Sequence, residues 1–240
     1  MNGLAGKVAI ITGGGSGIGR GIAVALAQLG VQVVICGRRA NKVNEVASAI
    51  IQAGGKALAV QADVSQVDQA EKLLQTTLNE FSTVDILVNN AGIDIDGEIH
   101  DHAVDGWDEV MAVNLRGPFL MARAVLPVMR RQRRGHIIQI SSEAGLEYYT
   151  GTGAYTVSKH ALNTLSELIQ RENQDYNIRV NTICPGMVWT EMSEDSPSLD
   201  RSKCLEPEDI ADLVVWLLTR RENIKIGTPI LIQTMLNPWE

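Results

Sequence analysis

Tyr155-Thr156-Val157-Ser158-Lys159 sets a phenol and an ammonium four residues apart. On a helix that interval puts both on one side of a single turn. A phenol ionises near pH ~10 when left alone, and a close cation favours its charged form. Bringing it near neutrality takes about 4 kcal/mol of differential stabilisation. A tyrosine tuned in this way becomes a general acid or base. The pair alone is common on exposed helix faces, so its neighbours decide. Ser142 lies thirteen residues upstream, just after the strand-like run His136–Ile140. A serine there can point its hydroxyl into a site and hydrogen-bond a substrate oxygen as charge develops on it. Asn89-Asn90-Ala91-Gly92 closes another run, Ile86–Val88. Asn114 interrupts an otherwise helical stretch, which reads as a kink, a local backbone bond or a functional amide.

The second chemistry-bearing stretch is Thr12-Gly13-Gly14-Gly15-Ser16-Gly17-Ile18-Gly19, between a strand and a helix. Glycines let the chain turn sharply and approach a pyrophosphate, and the helix N-terminus behind them offers free N–H groups. The order strand, glycines, helix is the order a dinucleotide site requires. The spacing is Gly13-xxx-Gly17-x-Gly19 rather than GxGxxG. An NAD site is expected to carry an acid for the ribose 2′-hydroxyl about 20 residues further on. Here the second strand ends Cys36-Gly37-Arg38-Arg39, with no acid before Glu45. Guanidinium groups grip a 2′-phosphate in a forked geometry, so the segment predicts NADP over NAD. The alternative is that one or both arginines are surface residues of a turn.

These residues must be held by elements that the hydrophobic pattern outlines. Strand-like runs are Val8–Ile11, Val31–Cys36, Ala57–Gln61, Ile86–Val88, His136–Ile140 and Arg179–Cys184, with Ile230–Gln233 weaker. Helical stripes lie between them: Ile22, Leu26, Leu29; Val67, Ala70, Leu73, Leu74, Leu78; Ala161, Leu162, Leu165, Leu168. The alternation predicts an α/β, Rossmann-like, doubly wound parallel sheet of about seven strands with helices on both faces. No linker or repeat divides the chain, so residues 1–240 read as a single domain. The irregular stretch Met192–Leu205, with Pro197, precedes a helix opening at Pro207. It reads equally as a short lid over the site, spanning about 190–206, or as a plain surface loop.

Composition narrows the class. Apolar residues are 45% of the 240, enough for a sizeable core, and the net charge of -7 argues against nucleic acid as the partner. The basic cluster Arg130, Arg131, Arg133 and Arg134 reads as a solvated helix end. Cys36, Cys184 and Cys204 have neither disulfide nor zinc spacing, and Cys36 and Cys184 read as buried small hydrophobes. His100 and His102 read as surface residues. No metal site, signal peptide or membrane-spanning run is evident, and a cytoplasmic location is expected.

Together Thr12–Gly19, Asp63-Val64, Asn89–Gly92, Asn114, Ser142, Tyr155, Lys159 and Pro185-Gly186 resemble, in order, the motifs of the short-chain dehydrogenase/reductase family in its compact single-domain form. The resemblance implies an NADP(H)-dependent oxidoreductase that interconverts a ketone, aldehyde or 3-oxo compound and the corresponding alcohol. Tyr155 would exchange the proton with the substrate oxygen and Ser142 would orient that oxygen. Lys159 would bind the nicotinamide ribose and lower the tyrosine pKa, and Asn114 would hold a water linking Lys159 to solvent. Gly13, Gly15, Ser16, Gly17, Ile18 and Gly19 would cradle the cofactor, with Arg38 and Arg39 at its 2′-phosphate. Asp63 and Val64 would meet adenine, and Asn90 and Gly92 the adjacent backbone and ribose. Pro185, Gly186, Val188 and Thr190 would border the nicotinamide carboxamide. A homotetramer or homodimer is implied as well.

The chain departs from the family in two places. The stretch between Thr190 and Pro207 is short, and the usual Val-Asp-Gly-Gly ending is replaced by a tail closing Asn237-Pro238-Trp239-Glu240. That tail is similar to the branch that oxidises 3-hydroxy acids or reduces small carbonyls. Trp239 would either dock on a neighbouring subunit or fold back. The expected pocket walls are Asp94, Ile95, Glu143, Tyr148, Tyr149, Met187 and Trp189. Glu143 is a candidate for binding a substrate hydroxyl or amine. Two other readings stay open: a same-fold epimerase or dehydratase, and a non-catalytic NADP-binding regulatory protein.

Overall fold

The computed structural model describes residues 3–194, 196 and 198–239; Pro197 and Glu240 lie outside them. Seven parallel strands form one sheet in the order β3-β2-β1-β4-β5-β6-β7. They are β1 (Val8–Thr12), β2 (Gln32–Gly37), β3 (Lys56–Gln61), β4 (Ile86–Asn89), β5 (Gly135–Ile140), β6 (Ile178–Pro185) and β7 (Ile230–Ile232). Each expected strand is present, with no end shifted by more than one residue. The helices are α1 (Gly17–Gln28), α2 (Ala40–Gln52), α3 (Val67–Phe81), α4 (Val104–Met111), α5 (Gly117–Gln132), α6 (Gly153–Asn173) and α7 (Pro207–Leu218).

Alternation along a strand sends side chains to opposite faces. Ala9 and Ile11 of β1 therefore join one core with α1, α2 and α7, through Ile22, Leu26, Val46, Ile210 and Val214. Ile10 joins the other, with α3, α5 and α6, through Leu73, Met121, Val125, Met129 and Ile169. Every residue of β1 is buried, as expected for a strand covered on both faces. Each such aliphatic side chain contributes roughly 1.5–3 kcal/mol on burial.

The third helical stripe differs from expectation. Leu168 is exposed, and the buried face of α6 runs through Leu162, Ser166, Ile169, Gln170 and Asn173. Three of those are polar, and each is satisfied: Ser166 donates to Leu162 O, Gln170 bonds the backbone of Ile178 and Val180, and Asn173 bonds Ile169 O and Arg130. The basic cluster is also more engaged than a solvated helix end. Arg130 and Arg133 lie over the Tyr176 ring, and Arg134 pairs with Asp85 at 3.1 Å.

α7 starts at Pro207 as anticipated, with Glu206 and Asp209 forming a reciprocal capping box. Between β6 and α7 the described residues include a parallel bridge of Val188 with Leu205 and a short turn at Arg201–Lys203. The C-terminal tail folds back onto this stretch: Asp200 N–H donates to Pro238 O at 2.9 Å, and Thr234 Oγ1 donates to Lys203 O at 2.7 Å. Cys36, Cys184 and Cys204 are all buried free thiols. Among the described residues no helix is long and apolar enough to cross a membrane.

Candidate active site

The strand order reverses between β1 and β4, where an open parallel sheet forms a crevice at its carboxyl edge. A cleft of about 580 Å³ occupies that place. It runs from Arg38, Arg39 and Lys42 at one end, past Gly13, Gly15, Ser16, Gly17 and Ile18, to Asp94, Tyr155 and Lys159 at the other.

The glycine turn needs its glycines at particular points. Gly13 and Gly17 have φ of +64° and +48°, a region L side chains rarely adopt. A Cβ on Gly13 would also lie 2.9 Å from Ala91 Cα. One on Gly19 would lie 2.4 Å from Gly13 O and from Asn90 Nδ2. Gly19 is thus a packing position behind the turn, absent from the cleft lining. Thr12 and Asn90 lock the two strands together. The N–H groups of Asn90 and Ala91 both donate to Thr12 Oγ1 at 3.0 Å, and Asn90 Nδ2 donates to Thr12 O and Gly13 O at 3.0 and 3.2 Å. The Asn90 side chain accordingly serves the backbone expected of it, and its amide donors are spent there. Asp63, Val64 and Gly92 line the cleft; the Asp63 carboxylate accepts from Ser65 N–H and Oγ.

At the basic end, Arg38 pairs with Glu109 at 3.0 Å. Arg39 Nη2 reaches Ser16 Oγ at 3.0 Å and Glu191 at 2.7 Å, and Lys42 Nζ reaches Glu191 at 3.0 Å. Lys42 and Glu191 were not among the sequence candidates. Lys42 did leave a signal: it stands in the first turn of α2, which has no acid, although helix N-termini favour acids there. A cation in that position suggests that an anion is expected. Nothing in the sequence singled out Glu191.

At the other end, α6 carries Tyr155 and Lys159 on the side facing β5. Ser142 lies close enough to Tyr155 to pull the phenol pKa down, and Ser142 Oγ accepts from Ala144 N–H at 3.2 Å. With its oxygen so engaged, the serine keeps its own proton to donate. Gly145 lets this turn sit tight on α6, because a Cβ there would lie 2.8 Å from Asn163 Nδ2 and 2.9 Å from Ser141 Oγ. Lys159 is buried; its Nζ donates to Ile140 O at 3.1 Å and lies 5.3 Å from the Tyr155 ring centre. Two ammonium protons remain for a ligand.

Asn114 occupies a π-helical turn, Ala112–Arg116, between α4 and α5. The kink is real, and its cause is not local. The amide bonds the backbone of Ile93 in both directions, at 2.9 and 2.8 Å, and donates to Ser158 Oγ at 3.1 Å. A Cβ on Gly92 would be 3.5 Å from both Asn114 Oδ1 and Lys159 Nζ, so the three residues border one small space.

Electrostatics depart from the sequence expectation. In this cleft the Tyr155 phenol is pushed up to about 12, first by burial and then by Asp94 and Glu143, against the pull of Ser142. Burial also pulls Lys159 down to about 8. The ammonium therefore does not bring the phenol to neutrality: lost hydration is the largest cause of both shifts, and Lys159 is not among the groups that move the Tyr155 phenol. Asp94 is pushed up to about 6 by desolvation and by Asp96, and Glu143 is raised by burial.

The remaining candidates separate. Thr190 lines the cleft, whereas Pro185, Gly186 and Val188 do not. Pro185 pairs with Ile232 in the sheet, a Cβ on Gly186 would meet Gln233 and Glu143, and Val188 is buried opposite Leu205. Of the expected pocket walls only Asp94 lines the cleft. Tyr148 is exposed and stacks on His160, Tyr149 stands close enough to Glu143 for each to shift the other's pKa, and Trp189 lies under Arg201. His100 is exposed, but His102 is half-buried and bonds Ile95 O. Trp239 is partly exposed on the folded-back tail.

A family model described as short chain dehydrogenase matches residues 7–200. An uncharacterized oxidoreductase of Staphylococcus aureus (strain MRSA252) is 35% identical over 227 residues, 95% of this chain and 97% of the relative. Among solved structures, a metagenomic short-chain oxidoreductase in complex with NADP has 35% identity and a TM-score of 0.85, covering 97% of this chain and 99% of its own. An alcohol dehydrogenase from the archaeon Thermococcus sibiricus, complexed with 5-hydroxy-NADP, has 27% identity and a TM-score of 0.89, with 98% and 97% covered.

Proposed function

The chain belongs to the short-chain dehydrogenase/reductase family, and on that premise we propose that it is an NADP(H)-dependent oxidoreductase interconverting a carbonyl compound and its alcohol. The observation that carries the reading is the two-ended cleft. Cations able to grip a phosphate stand at one end, and Tyr155 and Lys159 line the other, with Ser142 beside Tyr155. The glycine cradle that a Cβ would fill fits the dinucleotide between them. When bound, the nicotinamide supplies the hydride chemistry.

The chain's own residues do the rest. Arg39, Lys42 and Ser16 hold the 2′-phosphate, and Lys159 holds the nicotinamide ribose with its free ammonium protons. Ser142 donates to the substrate oxygen. In reduction Tyr155 delivers its proton to that oxygen, and in oxidation it takes the proton back. A phenol raised by burial holds its proton until substrate arrives. Asp94 and Glu143 add negative charge beside Tyr155. They favour neutral or cationic carbonyl compounds and oppose the carboxylate of a 3-oxo acid.

The test is NADPH consumption with a panel of neutral ketones, aldehydes and 3-oxo esters, alongside product analysis. Turnover of neutral carbonyls with loss of NADPH supports the reading. Substrate conversion without net NADPH loss would make the protein an epimerase or dehydratase. Tight NADPH binding with no conversion across the panel would make it a non-catalytic binder.

A further inference from the structure

Glu191 sits where a phosphate would be gripped. Its carboxylate accepts from Arg39 Nη2 at 2.7 Å and Lys42 Nζ at 3.0 Å, and the same Arg39 nitrogen donates to Ser16 Oγ at 3.0 Å. All four residues line the cleft. A carboxylate and a phosphate compete for such donors, because each offers paired anionic oxygens to a guanidinium fork and an ammonium.

The local chain holds Glu191 in this place. Thr190 N–H donates to Ser193 Oγ at 3.0 Å, and the N–H groups of Ser193 and Glu194 return to Thr190 O at 3.0 Å. The Thr190 methyl packs over the glycine turn, 3.1 Å from where a Cβ on Gly17 would be. The start of α2 adds its positive dipole end, with no acid of its own to use it. Arg38, by contrast, is occupied elsewhere by Glu109.

We infer that Glu191 is a cofactor-selectivity residue: an internal anion that pairs with Arg39 and Lys42 and must give them up before a 2′-phosphate can take its place. The inference rests on the NADP(H) reading. Glu191 thereby weakens binding of 2′-phosphorylated adenosine ligands and leaves unphosphorylated ones nearly untouched.

The test uses two fragments, adenosine 2′,5′-bisphosphate and adenosine 5′-monophosphate, titrated by calorimetry into wild type, Glu191→Gln and the control Glu194→Gln. Glu191→Gln is expected to bind the bisphosphate about three- to tenfold tighter, as for the loss of a competing charge-assisted bond. Its affinity for the monophosphate stays within about twofold of wild type, and Glu194→Gln changes neither by more than about twofold. Unchanged or weaker bisphosphate binding in Glu191→Gln would overturn the inference, as would equal tightening in Glu194→Gln. If wild type prefers the bisphosphate and Glu191→Gln does not improve on it, the inference fails while the NADP(H) reading stands. If no protein prefers the bisphosphate to the monophosphate, the NADP(H) reading falls and takes the inference with it.

Discussion

The two ends of the cleft use opposite electrostatics. At the basic end, Arg39 is exposed and Lys42 half-buried, and both pair with a surface carboxylate, so water screens them and their partners can exchange. At the catalytic end, Lys159 and Tyr155 are buried, their ionisations are shifted by lost hydration, and Asp94 and Glu143 surround them with negative charge. On the proposed reading, the first end recognises a permanent anion of a diffusing ligand and the second holds a proton in place. A group screened by water can be swapped cheaply; a desolvated one cannot be changed without altering its neighbour's pKa.

The largest expected effect tests the separation of these tasks. Tyr155→Phe should lower kcat by roughly a hundred- to ten-thousand-fold, the usual worth of a general acid, while NADPH affinity by fluorescence titration stays within about threefold. A parallel loss of affinity would mean that the two ends are not independent. Next comes Lys159→Met. A buried lysine whose pKa falls from 10.5 to about 8 makes its protonated form unfavourable in the fold. Stability of the free protein should therefore rise as pH increases from about 8 towards 10, where the unfolded chain binds the extra proton. Removing the ammonium should stabilise the protein at neutral pH by roughly 2–4 kcal/mol in chemical denaturation, while activity collapses.

At the other end, Arg39→Ala combined with Lys42→Ala should weaken NADPH binding by roughly ten- to a hundredfold and NADH by no more than about twofold. The smallest effect concerns substrate charge. Glu143→Gln should raise kcat/KM for a carboxylate-bearing ketone relative to its methyl ester by about two- to fivefold, as removal of one partly screened repulsion. The same discrimination should fade in wild type as pH drops through about 6, where Asp94 takes up a proton and its repulsion ends. A ratio independent of pH between 5 and 7 would show that Asp94 does not face the substrate.

Much of this architecture was legible because parallel strands buried on both faces leave continuous apolar runs. Ile10, Val34, Leu87 and Ile137 could hardly be read otherwise. Helix faces were harder. Leu168 looked like part of a stripe, but α6 buries Ser166, Gln170 and Asn173 instead, and hydrophobicity is blind to polar groups satisfied inside a fold. At the site, Tyr155, Lys159, Ser142 and the glycine turn could be named from spacing and order. The raised phenol pKa could not, because burial is a property of the assembled cleft. Nor could spacing tell that Gly19 packs against Gly13 and Asn90, or that Pro185 pairs with Ile232 and Val188 with Leu205.

The cross-brace between Thr12 and Asn90 has a bearing on how the protein comes into being. Those residues meet only after β1 has found β4, past two intervening strands and their helices. A nascent chain that has already made its glycine turn still lacks a nucleotide cradle until the segment through Gly92 has left the ribosome and paired. Competence to capture a dinucleotide thus arrives with the closure of the sheet's centre, and an amino-terminal fragment ending before β4 would be an empty frame.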